Sequence, residues 1–188
     1  MITSLPNLLT LSRVVAVPVM VALFFVDPAW GRWAAAFVFC LAAVTDYFDG
    51  YFARTRGELS AFGRMFDPIA DKLLVASTLV MLVAEGPVSG LSVVPVLVIL
   101  LREILVSGLR EHLAEVRIGL PVSRLAKWKT GIQMTALPAL VVAPALPGDG
   151  VMEVAGTVLL WIAALLTLVT GWSYLRASLI HVTREPAT

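Results

Sequence analysis

The chain has 188 residues, 59% of them hydrophobic and 14% charged, and a formal net charge of +1. Soluble domains carry about 45–50% apolar and about 25% charged residues, so a mean hydropathy of +0.91 calls for an apolar solvent. This composition excludes a disordered chain. The single cysteine, Cys40, excludes a disulfide scaffold, and the small net charge argues against nucleic acid as a partner.

An all-α integral membrane protein is therefore expected. A spanning helix takes about 20 residues, and hydropathy predicts six: Leu8–Val26, Trp33–Arg54, Asp67–Ala84, Ser89–Glu111, Lys129–Ala145 and Val151–Arg176. Asp27-Pro28, Gly86-Pro87 and Pro147-Gly148 read as turns between them. Pro95 and Pro138 fall inside spans, where membrane helices tolerate them. Met1–Asn7 has no basic residue, so a cleaved signal peptide is not expected. If the N-terminus is cytoplasmic, 13 of the 14 Lys and Arg lie at or near cytoplasmic helix ends; Arg32 is the exception. By the positive-inside rule both termini are then cytoplasmic. No internal repeat divides the chain, which reads as one membrane domain, 1–188.

The second span ends Asp46-Tyr47-Phe48-Asp49-Gly50-Tyr51-Phe52-Ala53-Arg54. At about 100° per residue, Asp46, Asp49, Gly50, Ala53 and Arg54 share a sector of about 140°, with the aromatics opposite. The third span opens with Asp67-Pro68, a helix-start pattern with Asp as N-cap and Pro at the first helical position. Asp71 lies one turn further on the same face, and a loop of about a dozen residues is expected before this helix. Two acidic pairs can thus meet at the cytoplasmic mouth of a helical hairpin. Four carboxylates near bilayer depth repel each other and resist desolvation. Divalent cations such as Mg²⁺ or Mn²⁺ relieve both problems, and two of them can clamp a diphosphate. Gly50, Ala53 and Gly63 leave room for a nucleotide, and Arg54 can fork onto phosphate oxygens.

Asp46-x2-Asp49-Gly50-x2-Ala53-Arg54-x8-Gly63-x3-Asp67-x3-Asp71 resembles, at every specified position, the signature of the CDP-alcohol phosphatidyltransferase family. Asn7-x2-Thr10-x2-Arg13, Arg102-Glu103, Gly108-Leu109-Arg110-Glu111 and Lys127-Trp128-Lys129-Thr130 resemble its phosphatidylglycerophosphate synthase branch. The resemblance implies a six-helix enzyme of the bacterial inner membrane, a homodimer among membrane lipids. Its donor would be CDP-diacylglycerol, its acceptor sn-glycerol 3-phosphate, and CMP would be released. It further implies that Asp46, Asp49, Asp67 and Asp71 hold two Mg²⁺ or Mn²⁺ ions and that Asp71 is the general base. Thr10, Asp46, Asp49, Gly50, Ala53, Arg54, Ser60 and Gly63 would meet the donor. Arg102, Arg110, Lys127 and Lys129 are expected to bind the acceptor phosphate.

Plainer readings stand beside these. Asp67 alone is an ordinary N-cap, and Asp46 and Asp49 alone are helix-end charges. Arg102, Glu103 and Arg110 share one helix face as either an ion pair with a spare arginine or a phosphate-binding edge. Lys127 and Lys129 are expected near the headgroups, and Arg56, Arg64, Arg117, Arg124 and Arg184 serve topology and headgroup contact. Cys40 and the methionines read as packing residues, and His112 and His181 lie outside the acidic cluster. The donor signature leaves inositol phosphate, serine or phosphatidylglycerol open as acceptors. A small cation carrier is the alternative of another class, but its acids would be expected nearer mid-membrane.

Overall fold

Asp27 starts a helix rather than only a turn. Its Oδ1 accepts the backbone N–H of both Ala29 and Trp30 at 3.0 Å, and Pro28 takes the first helical position, where a missing N–H costs nothing. In the computed structural model this helix is α2, Pro28–Arg56. Around it lie α1 (Leu5–Leu23), α3 (Ala61–Ala84), α4 (Val93–Glu115), α5 (Arg124–Val142) and α6 (Val151–Val182). Short 3-10 turns, Gly90–Ser92 and Ala143–Ala145, precede α4 and follow α5. The structure describes residues 5–56, 61–115, 124–148 and 150–182. Within its helices the side chains at 5–7, 28, 47–56, 61–65, 112, 114–115 and 177–182 lie outside that description.

Among the described residues the protein is all helical, with six α-helices and no strand. Among the described residues two segments, Gly90–Glu111 and Val151–Arg176, are long and apolar enough to cross a membrane. The helices form two groups of three. α1 packs on α2 and α3, α6 packs on α4 and α5, and α2 against α5 joins the groups. Met20, Phe39, Leu74, Leu79, Ile99, Leu137, Leu140 and Leu160 fill the shared core. Gly156 lets α6 approach α5: a Cβ there would stand 2.7 Å from Cγ of Leu140. Phe37, Leu41, Leu101, Ile104, Leu165 and Trp172 face outward, the apolar exterior that a lipid solvent allows. Cys40 also faces outward, unlike the buried Met20 and Met81, so it is not a core packing residue.

The third helix departs from expectation. α3 begins at Ala61, six residues before Asp67, so Pro68 lies inside it and no dozen-residue loop separates it from α2. Ala61, Arg64 and Met65 are good helix formers, and α3 packs along α1. The proline removes one rung of the helix without ending it. The backbone N–H groups after Asp67 therefore already have helical partners, and a cap has nothing left to do. α5 likewise starts at Arg124, so Lys127 and Lys129 sit on its first turns.

Candidate active site

The early residues of α1, α3 and α5 and the late residues of α2, α4 and α6 meet at one end of the bundle. Among the described side chains, Arg13, Asp46, Asp67, Asp71, Arg102, Glu103, Arg110 and Lys129 lie at this charged end. The opposite end holds Arg32, whose Nη2 donates to the Glu85 carbonyl at 2.5 Å and whose guanidinium stacks 4.8 Å from the Phe24 ring centroid. That arginine ties α1, α2 and the end of α3 together.

At the charged end α1 orients two of the aspartates. Arg13, buried with 1% of its surface exposed, pairs with Asp46 Oδ1 at 2.5 Å. Thr10 Oγ1 donates to Asp67 Oδ1 at 2.6 Å. Each carboxylate is thereby held through Oδ1, the kind of support that fixes a metal ligand's direction. Asp46 lies close enough to Asp67 and to Asp71 for the carboxylates to repel one another. Oxygen-only donors under mutual repulsion fit a hard divalent cation. Among the described residues no three acidic, His or Cys side chains close on a single point. The side chain of Asp49 lies outside the described residues, as do those of Gly50, Ala53, Arg54 and Gly63 and the whole of Ser60.

Beside the aspartates opens a cavity of about 520 Å³ between α3, α4, α5 and α6. Asp71 lines it together with Arg102, Arg110, Lys127 and Lys129. With Lys72 also on the wall, five cations face two carboxylates, Asp71 and Glu103. Glu103 Oε1 accepts from Lys129 Nζ at 2.5 Å and from Arg102 Nη1 at 3.2 Å. Arg102 is thus paired with Glu103, as the ion-pair reading has it, and it also lines the cavity. Lys129 is buried, with 6% of its surface exposed, because its ammonium reaches inward to Glu103; it is not a headgroup lysine. Arg110 and Lys127 keep exposed side chains at the rim.

Sequence reasoning named Arg13 only within a family segment and overlooked Thr170 and Tyr174. Arg13 carried a signal, a charge one turn after Thr10 in an apolar helix. Thr170 and Tyr174 carried none, because a threonine and a tyrosine near a helix end are unremarkable until α6 is seen against α4. Thr170 Oγ1 accepts from Arg102 Nη2 at 3.1 Å, and the Tyr174 ring centroid lies 5.8 Å from the Arg102 guanidinium carbon.

An all-helical bundle with aspartates and a cationic cavity at one end is the setting for transfer of a phosphate-linked group. A family model for CDP-alcohol phosphatidyltransferase matches residues 3–169, and the chain belongs to that family. Members of the family generally depend on divalent metal ions. Three similar proteins share one name, CDP-diacylglycerol–glycerol-3-phosphate 3-phosphatidyltransferase. The Rickettsia typhi protein is 48% identical over 174 residues, covering 93% of this chain and 96% of its own length. The protein of Escherichia coli strain K12 is 42% identical over 177 residues, covering 93% and 94%. That of Cereibacter sphaeroides is 37% identical over 217 residues, covering 97% and 98%. None of these names supports the carrier reading.

Proposed function

We propose that this protein transfers the phosphatidyl group of CDP-diacylglycerol to sn-glycerol 3-phosphate, giving phosphatidylglycerophosphate and CMP. The reading rests on the shared name of relatives that match nearly end to end. The structural observation that carries it is the cavity in which Asp71 shares a wall with five cations. A dianionic acceptor suits such a wall, whereas zwitterionic serine gains less from it.

Asp71 takes the proton of the acceptor hydroxyl. That oxygen forms a new bond to the phosphorus bearing the diacylglycerol, and the bond from phosphorus to the CMP oxygen breaks with its electron pair on CMP. Arg102, Arg110, Lys127 and Lys129 hold the acceptor phosphate so that its hydroxyl comes within hydrogen-bond reach of Asp71. Asp46, Asp49, Asp67 and Asp71 would hold two Mg²⁺ or Mn²⁺ ions, which when bound offset charge on the donor diphosphate. Thr10 and Arg13 aim Asp67 and Asp46 toward that role. Gly50, Ala53, Arg54, Ser60 and Gly63 form the donor side.

The six helices act as six spans of a single membrane domain in the bacterial inner membrane, working as a homodimer among membrane lipids. Both termini lie in the cytoplasm, since the basic residues crowd the charged end. Purified enzyme should release CMP from CDP-diacylglycerol with glycerol 3-phosphate but not with serine, inositol phosphate or phosphatidylglycerol. Arg110→Ala should raise KM for glycerol 3-phosphate about tenfold and leave that for CDP-diacylglycerol unchanged. Turnover with inositol phosphate and none with glycerol 3-phosphate would reject the acceptor.

A further inference from the structure

Arg102 is set in place from two sides. On its own helix Glu103 takes Nη1. From α6, Thr170 takes Nη2, and Tyr174 presents its ring one turn later. Between them Gly171 lets the arginine stem lie against the helix: a Cβ at Gly171 would stand 3.0 Å from Arg102 Cγ and 3.4 Å from Nε. Thr170 is buried, and its own proton goes to the helix carbonyl of Leu166 at 2.8 Å, with that of Thr167 at 3.2 Å. Its hydroxyl therefore meets Arg102 as an acceptor. Each terminal amino group of the guanidinium carries two protons and spends one on these partners, which leaves one on each, on a residue that lines the cavity.

We infer that Thr170, with Gly171 and Tyr174, forms a positioning cradle on α6 that fixes the direction in which Arg102 meets the acceptor phosphate. The inference rests on the acceptor reading of the cavity. An arginine stem loses much rotamer freedom when it binds, so a side chain already held in place binds a planar phosphate edge at lower cost. The role belongs to α6, a helix that contributes none of the acidic signature. Thr170 acts through Arg102 and is a positioning residue.

Steady-state kinetics on the purified full-length enzyme tests it. Thr170→Val keeps the side-chain shape and removes the acceptor oxygen; KM for glycerol 3-phosphate should rise about tenfold, with KM for CDP-diacylglycerol unchanged. Thr170→Ser, which keeps the hydroxyl, should restore the wild-type value. In an Arg102→Ala background Thr170→Val should add nothing further. A wild-type acceptor KM in Thr170→Val, a parallel rise in both KM values, or an undiminished effect without Arg102 would each overturn the cradle. If Thr170→Val fails to fold, Gly171→Ala decides instead, since its methyl presses on the arginine stem and leaves the Thr170 hydroxyl in place. An unchanged acceptor KM in that folded variant overturns the cradle, and a selective rise supports it. Arg102→Ala with a wild-type acceptor KM would reject the acceptor reading itself, and the cradle with it. Arg102→Ala with a raised KM beside an unaffected Thr170→Val rejects the cradle alone.

Discussion

The dipeptide Asp-Pro occurs twice in this chain, once at each end of the bundle, and the two copies do different work. Asp27 caps its own helix through two backbone N–H groups. Asp67 stands inside α3, where no N–H needs a cap, and its carboxylate accepts the hydroxyl of Thr10, 57 residues away. A helix-start pattern is thus an offer of hydrogen-bond acceptors. Whether helix already precedes the pair decides if the backbone takes it up or leaves it for another side chain.

If Asp67 belongs to a metal-binding set and Asp27 does not, the two ends of the protein should respond to perturbation in opposite ways. The largest effect expected is from metal removal: excess chelator should abolish CMP release, and added Mg²⁺ or Mn²⁺ should restore it. Full turnover in chelator would remove the chemical half of the contrast. Next comes Asp71→Asn, one turn beyond Asp67. An amide cannot take the hydroxyl proton, so kcat should fall on the order of 10²-fold or more, with CDP-diacylglycerol binding retained. Near-normal turnover would move the base elsewhere.

Thr10→Val sharpens the comparison at intermediate scale. It leaves Asp67 in place and removes the group that aims it, so activity should fall about tenfold with little change in thermal stability. An unaltered rate would make the Thr10–Asp67 bond purely structural. The smallest effect belongs to the other end. Asp27→Ala should lower stability by about 1 kcal/mol through loss of the cap, seen as an earlier thermal transition, with kcat unchanged. A loss of activity in this variant without a loss of stability would erase the distinction between the two copies.

How far the site was legible follows the same division. The acidic spacing on α2 and α3 is a local property, because residues three and four apart share a helix face in any helix. The four cations expected at the acceptor could be named from two separate segments, and the fold brings both to one cavity. The burial of Lys129 was not legible, because it depends on Glu103 lying 26 residues earlier on another helix. Nor was the helical start of α3 at Ala61, since the Asp-Pro helix-start pattern masked the helix-forming residues Ala61, Arg64 and Met65 before it.

By itself the sequence determined the all-helical class, through hydropathy and length, and the family, through eight residues at fixed spacing. Both are properties of a single helix or hairpin, where backbone periodicity converts spacing directly into direction. Only the tertiary structure decided which groups support the aspartates and which support the arginine. Thr10 and Arg13 reach them from α1, and Thr170, Gly171 and Tyr174 from α6. Arg102 and Thr170 alone lie 68 residues apart in the chain, and helix packing fixes their meeting.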